Sequence, residues 1–215
     1  MLFAVGCERS SDSSLDSLSA DMQDESEWFD DRPFGDNDPN LVLAVGDSVT
    51  EGSAITGLSY PTLVASFSGK YVINEGVGGT MSSYGLERFE AWLTGYQPGY
   101  VMILYGINDI IHVNDLDWTL ANLRTMVQKA HANRTVAIVG TLPPRLRPDI
   151  GWDHRHITLN QRIRLMVEEE NARLADVELA FGWNANLLQV DGYHPNEAGN
   201  RVIAATFDIA LTDEF

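Results

Sequence analysis

Cysteine is almost absent. Cys7 is the single thiol in 215 residues, which excludes an internal disulfide framework and any zinc site built on several thiolates. Basic residues are scarce as well: 14 Lys and Arg face 31 Asp and Glu, for a formal charge of −17 and a pI near 4.4. That balance has the wrong sign for holding a phosphate backbone or an anionic membrane surface, so nucleic acid is not an expected partner. Long apolar runs are missing too, and nothing approaches the roughly 18 consecutive apolar residues that span a bilayer. What remains is the material of a core: 44% of the chain is hydrophobic, 9% is aromatic, and 18 residues are glycine. A chain of this length and composition reads as one compact domain with a tail.

The acidity is uneven. Eleven acids and only two bases, Arg9 and Arg32, fall within residues 1–38. From Ser10 to Ser26 the chain is mostly Ser, Asp and Glu with isolated leucines, too few apolar groups to offset the entropy of ordering them. Residues 1–38 are therefore expected to form a flexible acidic tether and 39–215 the folded domain. Ahead of the tether, Leu2-Phe3-Ala4-Val5-Gly6-Cys7 resembles the end of a bacterial lipoprotein signal, with the charged start absent and the apolar stretch cut short. Lipidation at Cys7 is the expectation this carries, and a chance cysteine near the terminus is the alternative. The anchored reading implies a cell-envelope protein, lipid-anchored or secreted, that meets a membrane only through its anchor; the alternative is a cytoplasmic protein.

From Leu41 onward, apolar strand-like runs alternate with helical spacing. Strands are expected at Leu41–Val45, Tyr71–Asn74, Val101–Tyr105, Val136–Gly140 and Ala175–Val177. Helices are expected at Tyr60–Ser68, Tyr84–Leu93, Leu116–Ala130, Ile157–Leu174 and Asn196–Leu211. Five βα units in series imply an α/β fold with a parallel sheet between two layers of helices. Leu142 to His156, with Pro143, Pro144 and Pro148, is the longest irregular stretch.

In such a sheet, ligands lie beyond the carboxyl ends of the strands, and those junctions carry chemistry. Gly46-Asp47-Ser48 follows the first strand, with a serine exposed where backbone amides can face an anion. It is not the G-x-S-x-G of an α/β-hydrolase elbow. Asn74-Glu75-Gly76-Val77-Gly78-Gly79-Thr80 follows the second, where glycines let the backbone approach a substrate; the spacing fits neither a dinucleotide fingerprint nor a Walker loop. Gly106-Ile107-Asn108-Asp109 follows the third and offers an uncharged amide donor. Near the end, Asp191 and His194 stand three apart before a helix that Pro195 is placed to start, close enough for the carboxylate to fix the imidazole tautomer. Taken singly, these are helix caps, turns and a surface pair. Together they put a nucleophile, oxyanion donors and an oriented histidine on one sheet edge.

These blocks, in this order from about Leu41 to the C-terminus, resemble the SGNH hydrolases, also called the GDSL esterase and lipase family. Val49 replaces the leucine of the family name. The resemblance implies a three-layer, flavodoxin-like five-stranded parallel sheet and a Ser-His-Asp triad of Ser48, His194 and Asp191. It also implies an oxyanion hole from the Ser48 and Gly79 amides and the Asn108 side chain, with Gly78 as the competitor of Gly79. Neither cofactor nor metal is required, and the reaction is acyl transfer to water through an acyl-enzyme. His112 and His131 read as surface residues, and His154 and His156 as ordinary loop residues without a third metal ligand. The substrate reading is a small-molecule ester with a small to medium acyl group, in the manner of an arylesterase, thioesterase or lysophospholipase. A carbohydrate O-acetyl esterase acting on an acylated carbohydrate is the alternative, and a non-catalytic binding module on the same fold is the third.

Overall fold

The computed structural model describes residues 33–52, 57–113, 115–147 and 151–212. Cys7 and residues 1–32 of the expected tether lie outside them. Within the compact unit that begins at Pro33, five strands form one parallel sheet: β1 (Asp38–Gly46), β2 (Tyr71–Asn74), β3 (Pro98–Leu104), β4 (Val136–Gly140) and β7 (Arg173–Ala175), in the order β2-β1-β3-β4-β7. Strands β5 (Leu146–Arg147) and β6 (Gly151–Trp152) form a separate antiparallel pair. The central strands are continuous apolar runs because both faces are covered; Val42 to Val45, Val101 to Ile103 and Ala137 to Val139 are wholly buried.

The helices are α1 (Ser48–Glu51), α2 (Tyr60–Ser68), α3 (Ser82–Tyr96), α4 (Ile107–His112), α5 (Leu116–Ala132), α6 (His154–Glu169), α7 (Val177–Phe181) and α8 (Glu197–Thr212). Helices α2 and α8 pack together on one face of the sheet, where Tyr60 stacks on Phe207 at 5.3 Å. On the other face, α3 packs on α5 and α5 on α6. The chain leaves β1 toward β2 on one side and returns to β3 on the other, so the carboxyl ends of β1 and β3 flank the switch in strand order where open α/β sheets bind ligands.

Several expected boundaries move. The helix expected through Leu174 stops at Glu169, because Asn171 turns the chain with φ +52°. The last strand then runs Arg173–Ala175, and Val177 opens α7 behind an Asp176 cap whose carboxylate accepts from the Leu179 amide. Pro195 lies one residue ahead of the turn that starts α8, and Asn196 supplies the cap, its Oδ1 accepting from Gly199 N at 3.1 Å. His154 and His156 are not loop residues: they form the first turn of α6, and His156 is wholly buried. His112 and His131 are exposed, as expected.

Candidate active site

Ser48 owes its position to the residues on either side. Asp47 caps α1, its carboxylate accepting from the Val49 amide at 3.0 Å, and Gly52 ends the helix after one turn with φ +79°. A Cβ on Gly46 would lie 1.9 Å from Thr50 Oγ1 and 2.6 Å from the Leu104 carbonyl oxygen, so only glycine lets the turn fold back against β3. The strand-to-helix turn thus sets Ser48, half-buried, on the carboxyl edge of the sheet. Burial pushes the Asp47 carboxyl up to about 7 against the pull of the Val49 amide, and the charge of Asp109 adds to the rise.

His194 and Asp191 approach from the loop before α8. Asp191 Oδ1 accepts from the Tyr193 and His194 amides, both at 3.0 Å, and Oδ2 accepts from His194 Nδ1 at 2.7 Å. The remaining ring nitrogen, Nε2, lies 2.9 Å from Ser48 Oγ. Partial burial raises the Asp191 carboxyl, but the Tyr193 amide and the His194 ring and amide outweigh it and hold the group below the usual carboxylate range. An ionised carboxylate facing Nδ1 fixes its proton there, leaving Nε2 as the acceptor toward the serine. The β5–β6 hairpin, which no periodicity signalled, braces this loop: Leu146 N donates to the Gly192 carbonyl at 2.7 Å. Tyr193 lies 4.3 Å from the His194 ring, with the Arg145 guanidinium 5.8 Å from the tyrosine centroid. A cavity of about 440 Å³ flanks the loop, lined by Leu146, Leu188, Val190 and the amide-bearing Asn186 and Gln189. Another, of about 340 Å³, sits at the amino ends of β4 and β7 around Arg134 and Arg173, at the pole away from Ser48.

The glycine loop after β2 is drawn against α1. Asn74 Nδ2 donates to the Thr50 carbonyl at 2.8 Å, and a Cβ on Gly76 would meet Glu51 N at 2.3 Å. The Gly78 amide donates to Glu51 Oε2 at 3.1 Å. Gly79, with φ +74°, makes no amide hydrogen bond among the described residues. From the far side, Asn108 Nδ2 donates to the Thr80 carbonyl at 2.9 Å. A primary amide has two N–H bonds, so one remains for a ligand.

The expected serine, histidine and aspartate therefore form one hydrogen-bonded chain, with Gly79 and Asn108 joined through Thr80 beside it. Three residues beyond those expected belong to the surroundings: Asp109 accepts from Ser82, and Asn122 donates to Ser82. Asp109 lies in the Gly-x-Asn-Asp block, to which the sequence assigns a role only through Asn108; the residue ahead of that helix is Gly106.

Solved structures with the same fold include a protein described as a G-D-S-L family lipolytic protein from Desulfitobacterium hafniense DCB-2, at TM-score 0.70 and 22% identity, covering 80% of this chain and 99% of that one. Another is Axe2, an acetylxylan esterase from Geobacillus stearothermophilus, at TM-score 0.70 and 21% identity, covering 83% and 96%. Among characterised sequences, Esterase TesA of Pseudomonas aeruginosa is 28% identical over 164 residues, which is 72% of this chain and 79% of TesA. The model of the GDSL-like lipase/acylhydrolase family matches residues 44–202, a span that includes every block from Gly46-Asp47-Ser48 to Asp191-x-x-His194. With most of its length matched in this way, the chain belongs to that family and is a carboxylic ester hydrolase.

Proposed function

We propose that the protein is a serine esterase that hydrolyses carboxylic esters of small to medium acyl groups through Ser48, His194 and Asp191. The observation that carries the reading is the unbroken chain from Ser48 Oγ through His194 to Asp191, at 2.9 and 2.7 Å. His194 Nε2 takes the Ser48 proton as Oγ attacks the ester carbonyl. The oxygen of the tetrahedral intermediate takes up the charge and is met by the Ser48 and Gly79 amides and the free N–H of Asn108. Collapse expels the alcohol, which receives its proton from His194; water, deprotonated by the same ring, then releases the acid and restores Ser48. The Asp191 carboxylate keeps the ring in the required tautomer and stabilises its charged form.

The relation to Esterase TesA supports the reading of ester hydrolysis. Axe2, whose substrate is acetylated xylan, motivates the carbohydrate alternative as a comparison arm. A series of p-nitrophenyl esters from acetate upward, run beside acetylated xylan, separates the two: turnover retained beyond acetate and absent on xylan is the expected result. Ser48→Ala should fold and lose several orders of magnitude of activity, and an organophosphonate should label Ser48. Labelling at Ser59 or Ser82 with Ser48→Ala still active would refute the assignment.

A further inference from the structure

Asn108 and Asp109 are consecutive, and both side chains grip the same short stretch of the glycine loop. Asn108 Nδ2 holds the Thr80 carbonyl at 2.9 Å. Asp109 accepts from the Ser82 amide at 3.2 and 3.0 Å through its two oxygens, and from the Ser82 hydroxyl as well. The Ser82 hydroxyl in turn accepts from Asn122 Nδ2 of α5 at 2.9 Å. Asp109 and Ser82 are wholly inaccessible and Asn122 is 8% exposed. The gripped segment begins at Gly79, so its two ends are an expected oxyanion donor and the first residue of α3.

Burying a carboxyl group is expensive, and burial raises the Asp109 carboxyl even against the Ser82 hydrogen bonds. A negative charge beside a site that must stabilise an anion also has the wrong sign to help directly. Its benefit must come through geometry. Oxyanion stabilisation demands donors held to within a fraction of an ångström of where charge develops. Here one donor is a backbone N–H on a glycine loop and the other is a side chain on a different element. With only the Asn108–Thr80 bond between them, the loop could pivot about that contact; a second attachment two residues further along prevents it.

We propose that the buried Asp109–Ser82–Asn122 chain sets the spacing between the Gly79 amide and the Asn108 side chain, with Asp109 and Ser82 as positioning residues of the oxyanion hole. This rests on the serine-esterase reading above. Asn122 extends the attachment to α5, so the spacing is referred to the packed helical layer rather than to the loop alone.

The experiment uses the full chain and measures kcat and KM on p-nitrophenyl butyrate, each preparation normalised by organophosphonate titration run to completion. Ser82→Ala, which keeps the backbone bond to Asp109, should lower kcat about tenfold with KM within about twofold, and Asp109→Ala should lower kcat about a hundredfold. Asp109→Asn, which retains an acceptor for the Ser82 amide, should fall between wild type and Asp109→Ala. In an Asn108→Ala background the further loss from Ser82→Ala should shrink to about two- to threefold, because one of the two groups being spaced is gone. Val127→Ala, a core truncation on the same helix, controls for loss of stability and should leave normalised kcat unchanged. An unchanged kcat in Ser82→Ala, an equal loss in both backgrounds, or an equal loss in Val127→Ala overturns the proposal. Ser48→Ala, which lacks the titrated serine and is normalised by protein concentration instead, separates the two readings. If it stays active, the esterase assignment falls and this proposal with it; if it is inactive while Ser82→Ala is fully active, this proposal alone falls.

Discussion

The two adjacent glycines of the β2 loop show how much one atom decides. The Gly78 amide is already committed to Glu51 Oε2, whereas the Gly79 amide has no partner among the described residues and the backbone there has φ +74°. An added Cβ at Gly79 would meet nothing within 4 Å, so harm from Gly79→Ala comes from forcing an L side chain into the left-handed region, at about 1–2 kcal/mol, rather than from collision. The chain relieves that strain by rotating the peptide, and the amide swings with it. At Gly78 the added Cβ would meet Glu51 Oε2 at 2.7 Å, the far end of a flexible side chain, where a small rotation relieves the contact. Gly79→Ala should therefore cost kcat, and Gly78→Ala should stay within a few-fold of wild type. Asn108→Ala removes a donor aimed at charge present only in the transition state, so kcat should fall on the order of 10²–10³-fold with little change in KM. Steady-state kinetics across an acyl-length series checks all three. A silent Gly79→Ala beside a damaged Gly78→Ala would transfer the oxyanion role to Gly78.

At the scale of elements, the strands and helices legible in the sequence are those long enough to carry a period. Tyr71–Asn74, Val136–Gly140 and Tyr60–Ser68 coincide with β2, β4 and α2, and Ser48, Asn108, Asp191 and His194 were legible because each lies at a junction beyond a strand or before a helix. Helices α1, α4 and α7, of four to six residues, and hairpin strands of two residues are too short to show a repeat. The end of α6 was missed because Leu174 fits helical spacing, while the left-handed Asn171 that ends the run leaves no mark in hydrophobicity. Ser82 and Asn122 are 40 residues apart, and their pairing exists only once α3 and α5 pack.

The start of β1 gives a prediction at the same scale. Ahead of residue 39, Phe34 lies 5.3 Å from the Tyr100 ring, and Asn37 Nδ2 donates to the Asn133 carbonyl at 2.6 Å and to Thr135 Oγ1 at 3.2 Å. A chain beginning at residue 39 should be less stable than one beginning at 33 by about 1–3 kcal/mol, from one aromatic contact and the lost hydrogen bonds. Both should share the same kcat/KM per folded molecule, since these contacts sit at the amino ends of the strands, opposite Ser48. Urea unfolding of the two chains decides it, and equal midpoints would return the boundary to residue 39.

Across the whole molecule, the buried Asp47 and His156 tilt stability with pH in opposite directions. Asp47, whose carboxyl rises from 3.8 to about 7, binds more protons folded than unfolded between those values, so its contribution to stability falls as pH rises through that window. Burial lowers His156 from 6.5 to about 4, with Asp153 resisting and Arg145 and Arg155 assisting; neither ring nitrogen has a hydrogen-bond partner among the described residues. The unfolded chain there binds more protons, so the His156 contribution rises with pH from about 4 to 6.5. The two windows overlap almost completely, so these two contributions oppose each other, while the raised Asp109 carboxyl adds to the falling one. Single substitutions expose each half. Asp47→Asn, which keeps an acceptor for the Val49 amide, should tilt the profile upward with pH relative to wild type and exceed wild type at pH 7.5. His156→Leu should leave stability falling from pH 4 to 7. Each tilt should be on the order of a few kcal/mol at most. Urea unfolding at pH 4.5, 6 and 7.5 reads both slopes in a denaturant that carries no charge of its own. Profiles for either variant that run parallel to wild type would show that the corresponding group does not change its protonation between the folded and unfolded states.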